Sequence, residues 1–284
     1  MKIGVVGQGY VGLAIKEGFE KHYPIFSYDK FDRSKSNVSS IQDLVKESDI
    51  IFVCVPTPMD AKTGKCYTGI VYEVCEELNN FANEDMVIIL KSTIPPGTTD
   101  MLNKKYKNLN LLFNPEFLTE ENFIEDFKNQ KHIILGGEKN TNILSDVYSK
   151  VFPNANIIIT SSTTAEMVKY MTNAYLATKV SFANEIKQIC DKVNVDYNEV
   201  MRHAILDDRL GKSHWNVPGP DGEFGFGGHC LPKDLNALLY VAKKYKLDVN
   251  VLKSVLLTND NVRKNRDWED MIGRAIISGE KNND

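Results

Sequence analysis

The first twelve residues place a short apolar run directly in front of a glycine-rich turn, and this feature limits the possible folds more than any other. The run Ile3–Val6 is followed by Gly7-Gln8-Gly9-Tyr10-Val11-Gly12, which has the spacing G-x-G-x-x-G. Gly7 permits a tight turn, Gly9 lets the backbone approach a pyrophosphate, and Gly12 allows a helix to pack closely on a strand. Because the N-terminus of such a helix attracts phosphates, the pattern predicts a dinucleotide site formed by residues 7–12.

An acidic residue stands where this motif requires one. Asp29 follows the second apolar run, Ile25–Tyr28, and lies 22 residues after Gly7. At this position a carboxylate accepts hydrogen bonds from a ribose 2′-hydroxyl and repels a 2′-phosphate. We therefore expect NAD rather than NADP, although Lys30 weakens that preference. The alternative is a glycine-rich turn in an α/β sheet that binds nothing.

Apolar runs alternate with amphipathic segments over the first 160 residues. Alternation of this kind predicts the α/β class, with a Rossmann-like, doubly wound and mostly parallel sheet covered by helices on both faces. The predicted strands are Ile3–Val6, Ile25–Tyr28, Ile50–Val55, Val87–Leu90, Leu111–Phe113, His132–Leu135 and Asn156–Ile159, and the predicted helices include Val11–His22, Gly69–Phe81 and Thr141–Val151.

The pattern changes near residue 161. Thr163-Thr164-Ala165-Glu166 is typical of a capping box at the start of a helix. Apolar residues then recur at helical spacing, which predicts a long connecting helix whose apolar side forms a homodimer. They are residues 168, 171, 175, 182, 186, 189 and 193.

Shorter elements are expected to follow the long helix. We predict a helix at Tyr197–Ala204, a Gly/Pro-rich loop from Gly211 to Gly228, a helix at Leu235–Tyr245, and a polar stretch from Arg263 to Asp284 that frays. The predicted organisation is an NAD-binding domain at 1–160, a central helical domain with a cysteine loop at 161–260, and a polar tail at 261–284.

Composition excludes several classes of protein. The 284 residues are 42% hydrophobic and 25% charged, which is typical of a globular protein with two domains. A net charge of -4 argues against a general nucleic-acid binder. Because no signal peptide or membrane-length apolar run is found, we expect a cytoplasmic protein without a membrane partner. Five cysteines without C-x-x-C spacing predict neither a disulfide framework nor a metal site.

One of these cysteines has surroundings that favour reactivity. Residues 225–234 read Gly-Phe-Gly-Gly-His-Cys-Leu-Pro-Lys-Asp, which places Cys230 in a glycine-dense loop beside Lys233 and Asp234. Such a loop leaves room for a substrate carbon. Lys233, or the dipole of the following helix, favours the reactive thiolate. The residues alone equally describe a turn that carries an unreactive thiol.

This segment resembles the active-site cysteine signature of the UDP-glucose/GDP-mannose dehydrogenase family. Further segments resemble the same family in the same order, and together with the glycine turn the likeness extends over about residues 1–260. They are Val55-Pro56-Thr57-Pro58, Lys91-Ser92-Thr93-Ile94-Pro95-Pro96-Gly97, Asn114-Pro115-Glu116-Phe117-Leu118 and Glu166-Met167-Val168-Lys169-Tyr170-Met171-Thr172-Asn173.

The resemblance implies a role for each matching residue. It makes Cys230 the nucleophile, and Lys169 and Asn173, four residues apart on one helix face, the groups that stabilise developing oxyanions. It also makes Thr93 and Glu120 a water-positioning pair or base, and Asp234 a support for the cysteine and the hydrolytic water. The implied substrate contacts are Glu116, Phe117, Leu118, Lys169, Asn173 and the loop from Gly219 to Gly227, and the implied cofactor contacts are Thr57, Thr93, Glu120 and Lys233.

The activity that the resemblance implies is an NAD-dependent oxidation of a nucleotide-sugar C6 alcohol to the carboxylate. The expected route has an aldehyde, a thiohemiacetal on Cys230 and a thioester. Family members usually continue into a second Rossmann-like domain, so we expect a short form that lacks it. Two alternatives stay open: an NAD-binding or assembly module without turnover, and a β-hydroxyacid dehydrogenase, a class that needs no nucleophilic cysteine.

Overall fold

The computed structural model describes residues 1–277, and the chain divides into two compact units. The first unit contains Met1–Thr57 and Thr68–Lys169, and the second contains residues 58–67 and the chain from Tyr170 onward. The division falls inside one long helix, between Lys169 and Tyr170. The domain boundaries at 160 and 260 rest on the sequence pattern and stay a prediction.

The described residues contain nine strands and ten α-helices. The strands are β1 Ile3–Val6, β2 Ile25–Tyr28, β3 Ile50–Val53, β4 Met59–Asp60, β5 Val87–Leu90, β6 Asn110–Phe113, β7 His132–Gly136, β8 Asn156–Thr160 and β9 Ile276–Ile277. The helices are α1 Tyr10–Phe19, α2 Ile41–Glu47, α3 Gly69–Asn79, α4 Thr98–Lys105, α5 Phe123–Lys128, α6 Thr141–Val151, α7 Ser162–Lys192, α8 Tyr197–Ala204, α9 Cys230–Lys244 and α10 Asn250–Val262.

A seven-stranded sheet forms the centre of the first unit. Its strand order is β2-β1-β3-β5-β6-β7-β8, and neighbours are parallel except for β6 and β7, which meet through the single pair Phe113 and Gly136. All seven predicted strands are present with shifts of at most two residues at their ends. The predicted doubly wound α/β class is therefore confirmed.

Both faces of the sheet are buried because side chains alternate along each strand. Ile51 and Val53 pack into one cluster with residues of α2, α3 and α4. Ile50 and Phe52 pack into the other cluster with residues of α1, α5 and α6. Burial on both faces explains why these strands read as continuous apolar runs rather than as alternating ones.

The strand order reverses direction at β1. The connection through α1 leads to β2 on one side of β1, and the connection through α2 leads to β3 on its other side. Ligands of open α/β sheets bind beyond the carboxyl ends of the strands at such a switch point. The glycine turn at residues 7–12 follows β1 and therefore stands at this position of the first unit.

The second unit is mainly helical, and two of its helices differ from the predicted elements. Helix α9 begins at Cys230, five residues before the predicted start, so Cys230 lies in the first turn of a helix rather than in a loop. Pro232 fits this first turn because its missing N–H is not needed there. Helix α10 was not predicted, although Val251, Leu252, Val255 and Leu256 have helical spacing.

The stretch from Arg263 to residue 277 does not fray as predicted. It contains a short 3-10 helix, Asp267–Glu269, and strand β9, which pairs in parallel with β4. Trp268 is 3% exposed and packs with Met59 and Ala275. An aromatic ring of this size orders the segment because its burial stabilises by about 2–3 kcal/mol. The remainder of the predicted polar tail, residues 278–284, lies outside the described residues.

The predicted capping box at Thr163 and Glu166 is wrong. The side chain of Ser161 accepts the hydrogen bond from Thr164 N at the start of α7, at 3.1 Å. The carboxylate of Glu166 instead accepts from the backbone N–H groups of Gly97 and Thr99, at 2.5 and 2.8 Å. Glu166 therefore caps the N-terminus of α4.

Candidate active site

The glycine turn has the shape that a bound pyrophosphate needs. Gly7 has φ +87°, and a Cβ on Gly12 would lie 1.9 Å from the carbonyl oxygen of Gly7, so a side chain at 12 would separate the helix from the turn. A Cβ on Gly9 would meet no atom within 4 Å. Gly9 is also the N-cap of α1 and has no side chain to cap it. The open space in front of a helix N-terminus fits the diphosphate of NAD.

Asp29 connects the second strand to this turn. Its Oδ2 accepts a hydrogen bond from Gln8 N at 2.7 Å, and its Oδ1 accepts from Phe31 N and Asp32 N, both at 2.9 Å. Burial acts to raise the pKa of Asp29, but the three backbone N–H donors offset it and hold the pKa below its ordinary value. Asp29 is thus a carboxylate at neutral pH, as the predicted ribose contact requires.

Two threonines with predicted cofactor contacts are bonded to each other. The hydroxyl of Thr57, after β3, donates to the carbonyl oxygen of Thr93, after β5, at 2.7 Å. The hydroxyl of Ser92 donates to the carbonyl oxygen of Val55 at 2.6 Å. These bonds join the carboxyl ends of two adjacent strands, where ligand-binding residues of α/β sheets concentrate.

Glu116 and Lys169 form a buried ion pair in the first unit. Lys169 Nζ lies 3.1 Å from Glu116 Oε1, and the two side chains are 4% and 12% exposed. Burial acts to raise the pKa of Glu116, but the Lys169 ammonium, the Leu118 N–H and Lys91 more than offset it, so the pKa is lowered. Glu116 is therefore a carboxylate at neutral pH.

The segment that follows Glu116 contains two more of the residues that were predicted to contact substrate, Phe117 and Leu118. The Lys169 ammonium lies 5.6 Å from the centre of the Phe117 ring, which is part of a half-exposed side chain. Leu118 N donates to Glu116 Oε2 at 2.9 Å. Glu120 is exposed and follows in the same segment, between β6 and α5.

Lys91 is a buried cation that sequence reasoning did not single out. Its ammonium donates to Asn114 Oδ1 at 3.0 Å, and Asn114 Oδ1 also accepts from the Tyr148 hydroxyl at 2.5 Å. Burial lowers the pKa of Lys91 to about 8, although Glu116 opposes this shift. The signal was present in the sequence, because a lysine directly after an apolar strand such as β5 faces the carboxyl edge of the sheet.

A second set of polar residues is buried in the second unit. Asn173 Nδ2 donates to Asp234 Oδ2 at 2.5 Å, and Asp234 Oδ1 accepts from the Lys233 ammonium. Burial acts to lower the pKa of Lys233, but Asp234, with Cys66 and Cys230, more than offsets it and raises the pKa. Asp234 therefore holds the amide of Asn173 and the cation of Lys233 in fixed positions.

Cys230 differs from the other four cysteines in exposure. It is partly exposed at the first residue of α9, with its sulfur 3.4 Å from His229 Nε2, whereas Cys54, Cys66, Cys75 and Cys190 are buried. Burial raises the pKa of both Cys54 and Cys75 to about 12, which makes these thiols unreactive. A helix N-terminus is a place where a thiolate is favoured.

The predicted site residues thus form two groups, each within one compact unit. The glycine turn, Asp29, Thr57, Thr93, Glu116–Leu118, Glu120 and Lys169 belong to the first unit, and Asn173, Gly219, Gly227, Cys230, Lys233 and Asp234 belong to the second. The roles that the resemblance implies for them stay proposals. Among residues 1–277, no helix is both long and apolar enough to cross a membrane.

Two family models match most of the chain. Residues 29–156 match the NAD binding domain of the UDP-glucose/GDP-mannose dehydrogenase family, and residues 163–261 match the central domain of the same family.

Curated relatives and solved structures agree with these models. A UDP-glucose 6-dehydrogenase of Rickettsia bellii is 35% identical, over 91% of this chain and 67% of its own length. One from Rhizobium meliloti is 30% identical, over 98% of this chain and 70% of its own length. A UDP-glucose dehydrogenase structure from Pyrobaculum islandicum is similar with a TM-score of 0.82 and 27% identity, over 92% of this chain and 68% of that one. A GDP-mannose dehydrogenase structure from Pseudomonas aeruginosa has a TM-score of 0.67 and 28% identity, over 92% of this chain and 69% of that one. This chain thus spans about two thirds of the length of the proteins it resembles.

Proposed function

The chain belongs to the UDP-glucose/GDP-mannose dehydrogenase family and is an NAD-dependent oxidoreductase, and from this premise we propose that it oxidises the C6 alcohol of a nucleotide sugar to the carboxylate. The proposed substrate is UDP-glucose, the substrate that the names of the Rickettsia bellii and Rhizobium meliloti relatives give. The observation that carries the proposal is a partly exposed thiol at the first residue of α9, followed by the buried residues Lys233 and Asp234.

The first unit supplies the groups that hold NAD in this proposal. The open space at Gly9 and the α1 N-terminus receive the diphosphate, and the Asp29 carboxylate receives the ribose hydroxyls. When bound, NAD⁺ accepts a hydride, and two NAD⁺ are needed in succession for each sugar. The balanced reaction converts R–CH₂OH, two NAD⁺ and water into R–COO⁻, two NADH and three protons.

Cys230 is proposed to carry the covalent steps. Its thiolate forms a C–S bond with the C6 carbon of the aldehyde, and the carbonyl oxygen takes a proton, which gives a thiohemiacetal that still has a hydride to lose. Loss of that hydride together with the hydroxyl proton leaves a thioester, and water then attacks the carbon and breaks the C–S bond, which releases the acid and the Cys230 thiol. The covalent link also keeps the aldehyde from escaping between the two oxidations.

Lys169 and Asn173 are proposed to stabilise the oxyanions of these steps. The Lys169 ammonium is held against Glu116, and the Asn173 amide is kept oriented by Asp234. Preorganised donors of this kind are worth a factor of about 10²–10³ in rate each. Thr93 and Glu120 are proposed to position the water.

A substrate panel tests the reaction. NADH formation is measured with UDP-glucose, GDP-mannose and UDP-N-acetylated hexoses offered separately, and we expect two NADH per molecule of UDP-glucose. NAD⁺ binding without turnover on any of these sugars would favour a binding module. Turnover of a β-hydroxyacid but of no nucleotide sugar would favour the other alternative.

Replacement of the thiol tests the mechanism. Cys230→Ser should lower formation of the acid by about 10³-fold or more, because an alkoxide is not available at neutral pH and an ester is a poorer intermediate. Cys190→Ala is the matched control, since it removes a buried thiol and should leave turnover unchanged. A Cys230→Ser protein that still makes two NADH per sugar would exclude the covalent route.

We also propose that the protein is a homodimer joined along α7. Four large apolar side chains on this helix are more than half exposed, namely Met171, Tyr175, Phe182 and Ile189. They include most of the apolar residues that predicted the long helix, and neighbours in the row lie four or seven residues apart on the helix. An apolar row of this extent is typical of an interface, and a second copy offers the matching row.

A further inference from the structure

The ten residues before His229 form a glycine-rich loop whose sequence permits many backbone conformations. Five of the residues 219–228 are glycines, and Gly225 and Gly228 both have φ +69°. Glycine loses more backbone entropy on folding than any other residue, so a segment rich in glycine needs contacts with other parts of the chain to keep one conformation. The segment leads directly into the first turn of α9, where Cys230 lies.

Side chains from three other elements of the same unit supply these contacts. Gly225 N donates to Asn184 Oδ1 on α7 at 3.1 Å, and Phe226 N donates to Asn259 Oδ1 on α10 at 2.7 Å. Gly228 N donates to Asp267 Oδ2 at 3.0 Å. Asn259 Nδ2 returns a hydrogen bond to the carbonyl oxygen of Phe226 at 3.0 Å.

Arg263 lies at the centre of this arrangement. Its side chain is 1% exposed, and its Nη2 lies 2.8 Å from Asp221 Oδ2 and 3.0 Å from Asp267 Oδ1. A Cβ on Gly227 would lie 2.0 Å from the same Nη2, so the loop backbone packs directly against the guanidinium. Arg263 thus joins the loop at Asp221 and Gly227 to the Asp267 carboxylate that binds Gly228.

We propose that Asn259, Arg263 and Asp267 are positioning residues that fix the glycine loop and thereby hold the Cys230 sulfur at the N-terminus of α9. This inference rests on the proposed function of Cys230. Arg263 and Asp267 lie beyond residues 163–261, the part that the central domain model matches. Neither residue belongs to the sites that the resemblance implies.

The chemistry of the three residues favours positioning over simple stabilisation. A buried ion pair adds little to stability compared with apolar residues of similar volume, because desolvation offsets the attraction between the charges. The Arg263 guanidinium does, however, define a geometry, because its Nη2 contacts two carboxylates while its Nε donates to the carbonyl oxygen of Asn265 at 2.6 Å. The loop offers backbone N–H groups at a fixed spacing, and only oxygen acceptors at matching positions keep them in one arrangement.

The experiment reads the position of Cys230 without substrate. Alkylation of each cysteine by iodoacetamide is followed by mass spectrometry over a range of pH in the full chain and in the variants Arg263→Met and Asp267→Ala. The midpoint of the Cys230 profile reports the charge environment of the sulfur, and the plateau rate reports access to it. The four buried cysteines serve as an internal test of folding, since they react only when the protein opens.

We expect the midpoint to rise by about half a pH unit or more in both variants, because a loosened sulfur loses the favourable helix N-terminus and the Lys233 cation. With UDP-glucose, kcat should fall about tenfold or more while the Kd of NAD⁺ stays unchanged. Lys264→Met is the matched control: it removes an exposed cation one residue from Arg263 and should behave as the parent chain. Where Asp267→Ala exposes the buried cysteines, Asp267→Asn keeps the shape and removes only the charge.

Folded variants whose midpoint and kcat match those of the parent overturn the proposal. A drop in activity with an unchanged midpoint also overturns it, because the sulfur has then not moved. These outcomes are separate from the failure of the proposed function. If Cys230→Ser keeps full turnover, the covalent mechanism fails, yet the alkylation midpoint still reports whether the three residues hold the thiol in place.

Discussion

At the scale of single residues, three ion pairs hold buried charged side chains in the described part of the chain. Lys169 is paired with Glu116, Lys233 with Asp234, and Arg263 with Asp267. An unpaired charge in these places would cost several kcal/mol in lost hydration. Each pair also holds its two side chains in a defined position, because both partners are fixed by the elements that carry them.

The carboxylate of Asp29 gives a prediction at this scale. Asp29→Asn should weaken NAD⁺ binding about tenfold, because an amide is a poorer acceptor for ribose hydroxyls than a carboxylate. The discrimination against NADP⁺ should shrink as well, since the negative charge that repels a 2′-phosphate is removed. Fluorescence titration with both nucleotides measures the two effects. Asp85→Asn, at an exposed acid of the same unit, is the control, and equal affinity in the parent and Asp29→Asn would contradict the assignment.

At the scale of elements, side chains near helix ends connect parts of the chain that are distant in sequence. Glu166 in the second turn of α7 caps α4, which begins 68 residues earlier, through the N–H groups of Gly97 and Thr99. The Thr99 hydroxyl donates to the same carboxylate at 2.6 Å. Glu166 is fully buried, and burial raises its pKa to about 7 although these donors oppose the shift.

The raised pKa predicts a pH-dependent stability. Native Glu166 keeps its proton up to about pH 7, whereas the unfolded chain releases it near 4.5, so the native state binds more protons between these values. The stability contributed by Glu166 is therefore present at pH 5 and is lost as the pH rises through 7. Glu166→Gln imitates the protonated form and does not titrate. Between pH 5 and pH 8 the free energy of unfolding should therefore fall further in the parent than in Glu166→Gln, and the difference between the two falls should be roughly 2–3 kcal/mol.

Urea unfolding at the two pH values measures this difference. Glu77→Gln, at an exposed glutamate of α3, is the control and should keep the pH dependence of the parent. A Glu166→Gln protein with the same pH dependence as the parent would show that Glu166 is already ionised at pH 5.

At the scale of the whole molecule, the chain combines a nucleotide-binding unit with a helical unit that carries the thiol. Each unit has its own hydrophobic clusters: two on the faces of the large sheet in the first, and several smaller ones among the helices of the second. The side chains of these clusters are buried, whereas those of the apolar row on α7 are more than half exposed in the described chain. A second copy of the chain packed against this row would bury it.

The proposed dimer gives the prediction at this scale. Phe182→Glu places a charge in the apolar row and should raise the dimer Kd about tenfold or more, because the carboxylate must lose its hydration in the interface. Sedimentation velocity over a range of concentrations measures it. Phe31→Glu is the matched control, since Phe31 is 84% exposed in the first unit and is not part of α7. A parent chain that sediments only as a monomer would remove the proposed interface.

The sequence alone determined the features that depend on local pattern. The seven strands, the glycine turn with Asp29, and the long helix were predicted because hydrophobic period, glycine spacing and strand ends are properties of neighbouring residues. The family followed from short motifs of the same local kind. Helix α10 has apolar residues at helical spacing, but its second half contains residues of low helix propensity, so the sequence does not predict it. These residues are Thr258, Asn259, Asp260 and Asn261, and Asn259 is present because its side chain binds the backbone of Phe226.

Only the tertiary structure decided which distant side chains meet. No local pattern shows that Glu166 caps α4 or that Arg263 packs against Gly227. Nor does a local pattern show that Lys91 and Tyr148 both donate to the side-chain oxygen of Asn114. These contacts join residues that are 23 to 69 positions apart along the chain. Burial of these charged and polar groups costs free energy unless each one has a partner, and such partners come together only when several elements pack around the same place.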